Sequence, residues 1–133
     1  MGSASSKPPI PELEEPKIDL APSRVATVSH EFGPDVEIAY RVFREELKDA
    51  ENGGVVVWQH AYGDTGENLW AKCKVDMLDG YCVIVPDALG HGTESSKPTD
   101  AKYYAPKVFA ESITTILDKE KITRNAHYIG YSL

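Results

Sequence analysis

The residues of this 133-residue chain best suited to chemistry are its last four, Gly130-Tyr131-Ser132-Leu133. They match the opening of a Gly-x-Ser-x-Gly nucleophile elbow, in which a buried strand runs into a sharp turn that lifts a serine hydroxyl above the sheet and continues as a helix. The chemistry of a serine so placed would be nucleophilic. Gly-x-Ser alone carries little weight, because ordinary glycine and serine usage produces it about once by chance in a chain of this length. Its setting carries more. Asn125 precedes Ala126-His127-Tyr128-Ile129, a short strand-like run rich in aromatic and β-branched residues that is delivered directly into Gly130. That piece alone fits an arbitrary chain end after a buried strand equally well.

Two upstream segments tip the balance. Val55-Val56-Val57-Trp58-Gln59-His60-Ala61-Tyr62-Gly63-Asp64 begins as the continuous apolar run of a parallel strand covered on both faces. A polar loop follows, then a helix. Asp64 and Glu67 have capping-box spacing, Leu69, Cys73 and Met77 recur every four residues, Trp70 and Leu78 widen that stripe, and Gly80 stands at its stop. Tyr81-Cys82-Val83-Ile84-Val85-Pro86-Asp87 is a second buried strand, followed by a loop through Pro98. Pro106 then opens a helix with Phe109, Ile113, Ile116 and Leu117 on one face. Two βα units and a third strand predict a parallel sheet, whose carboxyl ends form a ligand crevice.

On these residues the chain resembles the amino-terminal half of an α/β-hydrolase of the esterase, lipase and lactonase type. The resemblance rests on His60-Ala61, Pro86-Asp87-Ala88-Leu89-Gly90-His91-Gly92 and Gly130-Tyr131-Ser132-Leu133, in matching order and spacing over roughly Val25 to Leu133. It implies an α/β fold, a mostly parallel sheet with flanking helices, truncated after the nucleophile elbow. It implies Ser132 as nucleophile, where an aspartate would indicate a dehalogenase or epoxide hydrolase. The backbone NH groups of Leu133 and Tyr62 would be the oxyanion donors. His60, His91 and Asp87 would shape the loops around the pocket without carrying protons in the reaction. Two departures stand out. Ala61 replaces a usual glycine, so its methyl group is expected to crowd backbone geometry that glycine tolerates. The stretch from Gly92 to Pro98 is one residue longer than the usual pattern, which leaves Ser95 and Ser96 competing for one serine position.

In this fold the acid and the histidine of the triad follow the nucleophile. His30, His60, His91 and His127 all precede Ser132. A serine without an adjacent base is a weak nucleophile at neutral pH, so the expected function is a serine hydrolase of esters, thioesters or lactones, present here as an incomplete and inactive piece of a larger protein. The alternative is a non-catalytic pseudo-enzyme or interaction fragment with the same fold. The strand ending at Gly130, central in the full sheet of such a fold, would be an open edge here.

The remainder of the chain frames this reading. Residues 1–23 are rich in proline and serine with alternating charge, which predicts a disordered lead-in before an amino-terminal hydrolase portion over 24–133. Val25 to Phe32 and Val36 to Phe43 read as a hairpin turned by Gly33-Pro34-Asp35, and Glu45 to Gly54 as a charged loop or short helical turn. Met1-Gly2-Ser3-Ala4-Ser5-Ser6 fits the N-myristoylation pattern, and membrane attachment is expected only if Gly2 carries that chain; a serine-rich disordered start accounts for the same residues. The net charge of -7, with basic residues scattered, argues against a phosphate-binding patch for nucleic acid. No metal site follows from Cys73 and Cys82, which read as reduced core thiols, and no glycine loop suits a dinucleotide, so no cofactor is expected. The expected partner is a small ester-like molecule. With no signal-peptide core or apolar span, the expected compartment is the cytoplasm.

Overall fold

The structure, a computed structural model, describes residues 20–51, 53–72 and 78–131. Most of the lead-in, Cys73 and Met77 of the first helix stripe, and both Ser132 and Leu133 lie outside the described residues. The elements run β1 (Ser23–His30), β2 (Gly33–Phe43), a 3-10 turn (Glu45–Leu47), β3 (Val55–Gln59), α1 (Gly66–Lys72), β4 (Cys82–Pro86), a second 3-10 turn (Ala101–Tyr104), α2 (Pro106–Lys119) and β5 (Ala126–Gly130).

The strands form one mixed sheet in the order β1-β2-β4-β3-β5. The hairpin strand β2 runs antiparallel to both β1 and β4, whereas β3 lies parallel to β4 and β5. The parallel portion is thus the part built from the two βα units. Alternation along β3 and β4 sorts their apolar residues onto two faces. Val55, Val57, Cys82 and Ile84 join Ala26, Val28, Ile38 and Tyr40 in a core closed by Val108 and Ile116 of α2. Val56, Trp58, Val83 and Val85 meet Phe43 and Leu69 of α1 on the other. This explains why both strands are apolar at successive positions: each face has its own helix. Burial also pushes the Cys82 thiol up to about 11, well away from thiolate chemistry at neutral pH.

Pro106 occupies the first turn of α2, and Phe109, Ile113 and Leu117 pack with buried Ile116 against the core as the spacing predicts. Two boundaries differ from expectation. The hairpin turns at Glu31-Phe32, with His30 opposite Gly33, and Gly33-Pro34-Asp35 belongs to β2 instead of the turn. A bulge lies between the Val28↔Val36 and His30↔Gly33 pairings, which accommodates the proline without a ladder donor. Gly33 is needed for a close approach, since a Cβ there would lie 2.3 Å from the Tyr103 hydroxyl. The first helix also starts one residue later than the Asp64–Glu67 capping box suggests. Thr65 Oγ1 accepts the Asn68 NH at 3.1 Å, and Asp64 is held by the Thr65 NH beside it.

β5 is the last strand of the described sheet and all five of its residues are exposed. At the opposite edge, Arg24 of β1 bonds both Glu45 and Glu120, and the buried Tyr40 hydroxyl donates to Glu120 at 2.5 Å, fastening the end of α2 to the hairpin. No helix among the described residues is long and apolar enough to cross a membrane.

Candidate active site

Two loops leave the carboxyl ends of β3 and β4 and face each other. The first is residues 60–65 and the second residues 87–96. In the first, the Asp64 NH donates to Ala61 O at 3.1 Å, closing a turn with Tyr62 and Gly63 at its centre. Gly63 supplies the left-handed backbone (φ 81°) that the turn requires. Ala61 does not share that conformation, because the only non-glycine residues with positive φ among the described ones are Arg44 and Lys121. Its methyl group is therefore not in the strained setting that its departure from glycine suggested.

The second loop is anchored on both sides. Asp87 Oδ1 accepts the Gly66 NH at 2.7 Å, so this carboxylate holds the start of α1. Its other oxygen leaves no room beside Gly92, where a Cβ would sit 2.4 Å from Oδ2. Ser95 and Ser96 have separate tasks. Buried Ser95 accepts the Ala39 NH at 2.8 Å and donates to Asp87 O at 2.7 Å, bridging β2 to the loop just past the last β2–β4 pair. Ser96 Oγ accepts the NH of exposed Glu37 at 2.9 Å. Together the two serines attach this loop to β2 at two points.

His60, fully buried, accepts the Ala88 NH on Nε2 at 3.0 Å while its Nδ1 faces Ala61 O at 2.7 Å. Burial, the largest influence, holds this imidazole below its ordinary value and so in the neutral form. His91 accepts the Gly63 NH on Nε2 at 2.9 Å while its Nδ1 faces Leu89 O at 3.1 Å. Both rings are committed to loop structure, as the resemblance implied. His30 lies at the hairpin, bonded to Pro34 O and the Phe32 NH. His127 sits on exposed β5.

Between the loops opens a cleft of about 680 Å³, in the size range of small-molecule sites. Tyr62, Leu89, Tyr104 and Phe109 give it apolar and aromatic walls, and Asp64 is its charged lining residue. The Tyr62 side chain is 83% exposed and stands edge-on to His91, their ring centres 5.5 Å apart. Its backbone NH has no hydrogen-bond acceptor among the described residues, unlike the NH groups of Gly63 and Asp64. Phe109, which its spacing placed on the buried face of α2, also faces the cleft together with Tyr104, a role set by where the long loop carries α2 and invisible in residue spacing.

β5 pairs with β3 up to Gln59↔Gly130, and the Tyr131 NH donates to Gln59 O at 3.1 Å. Tyr131 thus lies beside the start of the 60–65 loop, one residue before Ser132 in the sequence. Among the described residues, no group of three or more His, Cys, Asp or Glu side chains is placed to hold a metal ion.

Comparison with known proteins agrees with this architecture. Lipase 1 of Psychrobacter immobilis is 31% identical over 93 residues, covering 67% of this chain and 28% of the lipase. An uncharacterized protein of Mycobacterium tuberculosis is 26% identical over 88 residues, covering 66% of this chain and 26% of that protein. The chain thus spans about a quarter of the length of these curated relatives. Among solved structures, a hydrolase from Pseudomonas aeruginosa superimposes with a TM-score of 0.60 at 24% identity, over 81% of this chain and 36% of that one. Epoxide Hydrolase A from Mycobacterium thermoresistibile gives a TM-score of 0.60 at 20% identity, over 84% of this chain and 32% of its own length. Residues 54–133, which carry β3, both cleft loops and β5, match the family model of the alpha/beta hydrolase fold, and the chain belongs to that family.

Proposed function

We propose that this chain carries the nucleophile and oxyanion loop of a serine hydrolase that cleaves small, neutral ester-like molecules through an acyl-enzyme. The observation that carries this reading is the meeting of three motifs at one end of the sheet: β5 delivers Gly130-Tyr131 alongside Gln59, just before the 60–65 loop, and Ser132 follows in sequence. Ser132 would attack the substrate carbonyl, and the resulting oxyanion would be held by the backbone NH groups of Leu133 and Tyr62. The Tyr62 NH, which has no acceptor among the described residues and stands next to two NH groups already engaged, supports that assignment. A serine at this position distinguishes the chain from hydrolases with an aspartate nucleophile. The apolar walls and the anionic Asp64, whose carboxyl is held below its ordinary value chiefly by the Thr65 NH, favour an uncharged substrate.

In this reading none of the four histidines serves as the base, since His60 and His91 spend both ring nitrogens on backbone groups, His30 is bonded within the hairpin and His127 sits on exposed β5. The 133-residue chain alone is therefore expected to lack enzyme-like ester turnover. A fluorophosphonate probe tests the site, with circular dichroism verifying native-like secondary structure. Labelling at Ser132 that disappears in Ser132→Ala supports an accessible nucleophile. A folded protein whose labelling persists in Ser132→Ala removes it, and robust aryl-ester turnover by the chain alone refutes the assignment of the base elsewhere.

A further inference from the structure

The two histidines of the cleft are joined in a way that neither motif discloses alone. His60 belongs to the first loop and accepts an NH of the second, from Ala88, at 3.0 Å. His91 belongs to the second loop and accepts an NH of the first, from Gly63, at 2.9 Å. In each ring the other nitrogen lies within hydrogen-bond distance of a carbonyl on its own loop, Ala61 O at 2.7 Å and Leu89 O at 3.1 Å. A carbonyl can only accept, so Nδ1 must donate in both rings and Nε2 must be the bare acceptor. The geometry therefore fixes one tautomer for each ring, and the rings lie 4.9 Å apart.

We propose that His60 and His91 form a reciprocal, proton-sensitive clasp that holds the two cleft loops together only while both imidazoles are neutral. Protonating either ring turns its Nε2 from acceptor into donor, which faces an NH that can also only donate. One cross-loop bond is then replaced by repulsion. Two neighbouring imidazolium charges would add their own repulsion. The groups facing the pair are Asp64 from the first loop and Asp87 from the second, with the Tyr62 ring edge-on to His91 and Tyr104, whose hydroxyl donates to Pro98 O, lining the same cleft. The two carboxylates favour a charged His60, but burial opposes it more strongly, and the neighbouring His91 acts in the same sense as burial. The clasp secures Gly63, immediately after Tyr62. Its consequence for catalysis rests on the proposed oxyanion role of the Tyr62 NH, whereas the clasp itself does not.

Two measurements on the purified protein test it without needing turnover. Long-range nitrogen-proton NMR of the imidazoles at about pH 8 is expected to show protonated Nδ1 and bare Nε2 in both rings; the opposite tautomer in either ring overturns the clasp. Amide exchange, corrected for its intrinsic pH dependence, is expected to lose protection at Ala88 once acidification charges His60, at a pH below the ordinary imidazole range because burial opposes that charge. In His91→Phe at pH 8 the Gly63 amide should exchange about tenfold faster, while His91→Gln, whose amide oxygen can reach the Nε2 position, restores protection. Unchanged Gly63 exchange in His91→Phe overturns the proposal. Because these signals are independent of the serine, failed fluorophosphonate labelling at Ser132 counts against the hydrolase reading and leaves the clasp standing.

Discussion

Ser95→Ala and Ser96→Ala delete the same hydroxyl from adjacent positions and are expected to differ severalfold in cost. Ser95 is 4% exposed, and its oxygen serves two backbone groups, accepting from the buried Ala39 NH and donating to the partly buried Asp87 O. Ala39 is itself 2% exposed, and β4 ends its pairing with β2 at Tyr40↔Pro86, so no strand is present to take over the orphaned NH. A buried donor left unpaired costs about 1–3 kcal/mol, and the second lost bond adds about 1 kcal/mol. The sum is about 2–4 kcal/mol, a large share of the roughly 5–15 kcal/mol that stabilises a domain. Ser96 Oγ meets the NH of exposed Glu37, which water can reach, so Ser96→Ala should cost less than about 1 kcal/mol. The Ser96–Glu37 and Gly90–Ser96 backbone bonds survive either change. Urea unfolding followed by tryptophan fluorescence would read this as a midpoint lower by about 1–2 M for Ser95→Ala, with the slope unchanged. Equal midpoints for the two variants, or a greater loss in Ser96→Ala, would refute the reasoning that burial of the bridged groups sets the cost.

Gly92→Ala should destabilise by at least about 1–2 kcal/mol through its left-handed backbone alone, with more from displacing Asp87, and thermal unfolding would register it. Tyr40→Phe leaves buried Glu120 without its hydroxyl donor and is expected to cost about 1.5–3 kcal/mol, whereas the same change at exposed Tyr62 should be nearly neutral in the same denaturation assay. Because burial lowers the His60 imidazole from its ordinary 6.5, the unfolded chain takes up this proton first. Its contribution to stability is thus complete above about pH 6.5 and declines as pH falls through the lowered folded value. Urea midpoints between pH 8 and 5 should show that fall, and His60→Gln should flatten it; an unchanged slope would argue against a buried neutral ring.

The apolar runs of β3 and β4 needed no tertiary information, because a strand covered on both faces must be apolar at successive positions. Pro106 and the Phe109-Ile113-Ile116-Leu117 stripe likewise placed α2, since helix entry and the buried face leave local marks. Local marks misled where tertiary packing competed with them. Gly33-Pro34-Asp35 has turn chemistry, yet Gly33 pairs with His30 at the start of β2, where Tyr103 leaves no room for a side chain, and the turn falls at Glu31-Phe32. Asp64 and Glu67 have capping spacing, but Asp87, distant in sequence, takes the Gly66 NH and the helix starts after Thr65.

By itself the sequence determined the succession of strands and helices and the three motifs that mark the family, because periodicity and turn chemistry are properties of short segments. Only the tertiary structure decided the strand order β1-β2-β4-β3-β5, the separate duties of Ser95 and Ser96, and the exchange of hydrogen bonds between His60 and His91. Each of these joins groups far apart along the chain. Which donor meets which acceptor there depends on how the packed sheet brings its loops together, and residue spacing carries no record of that.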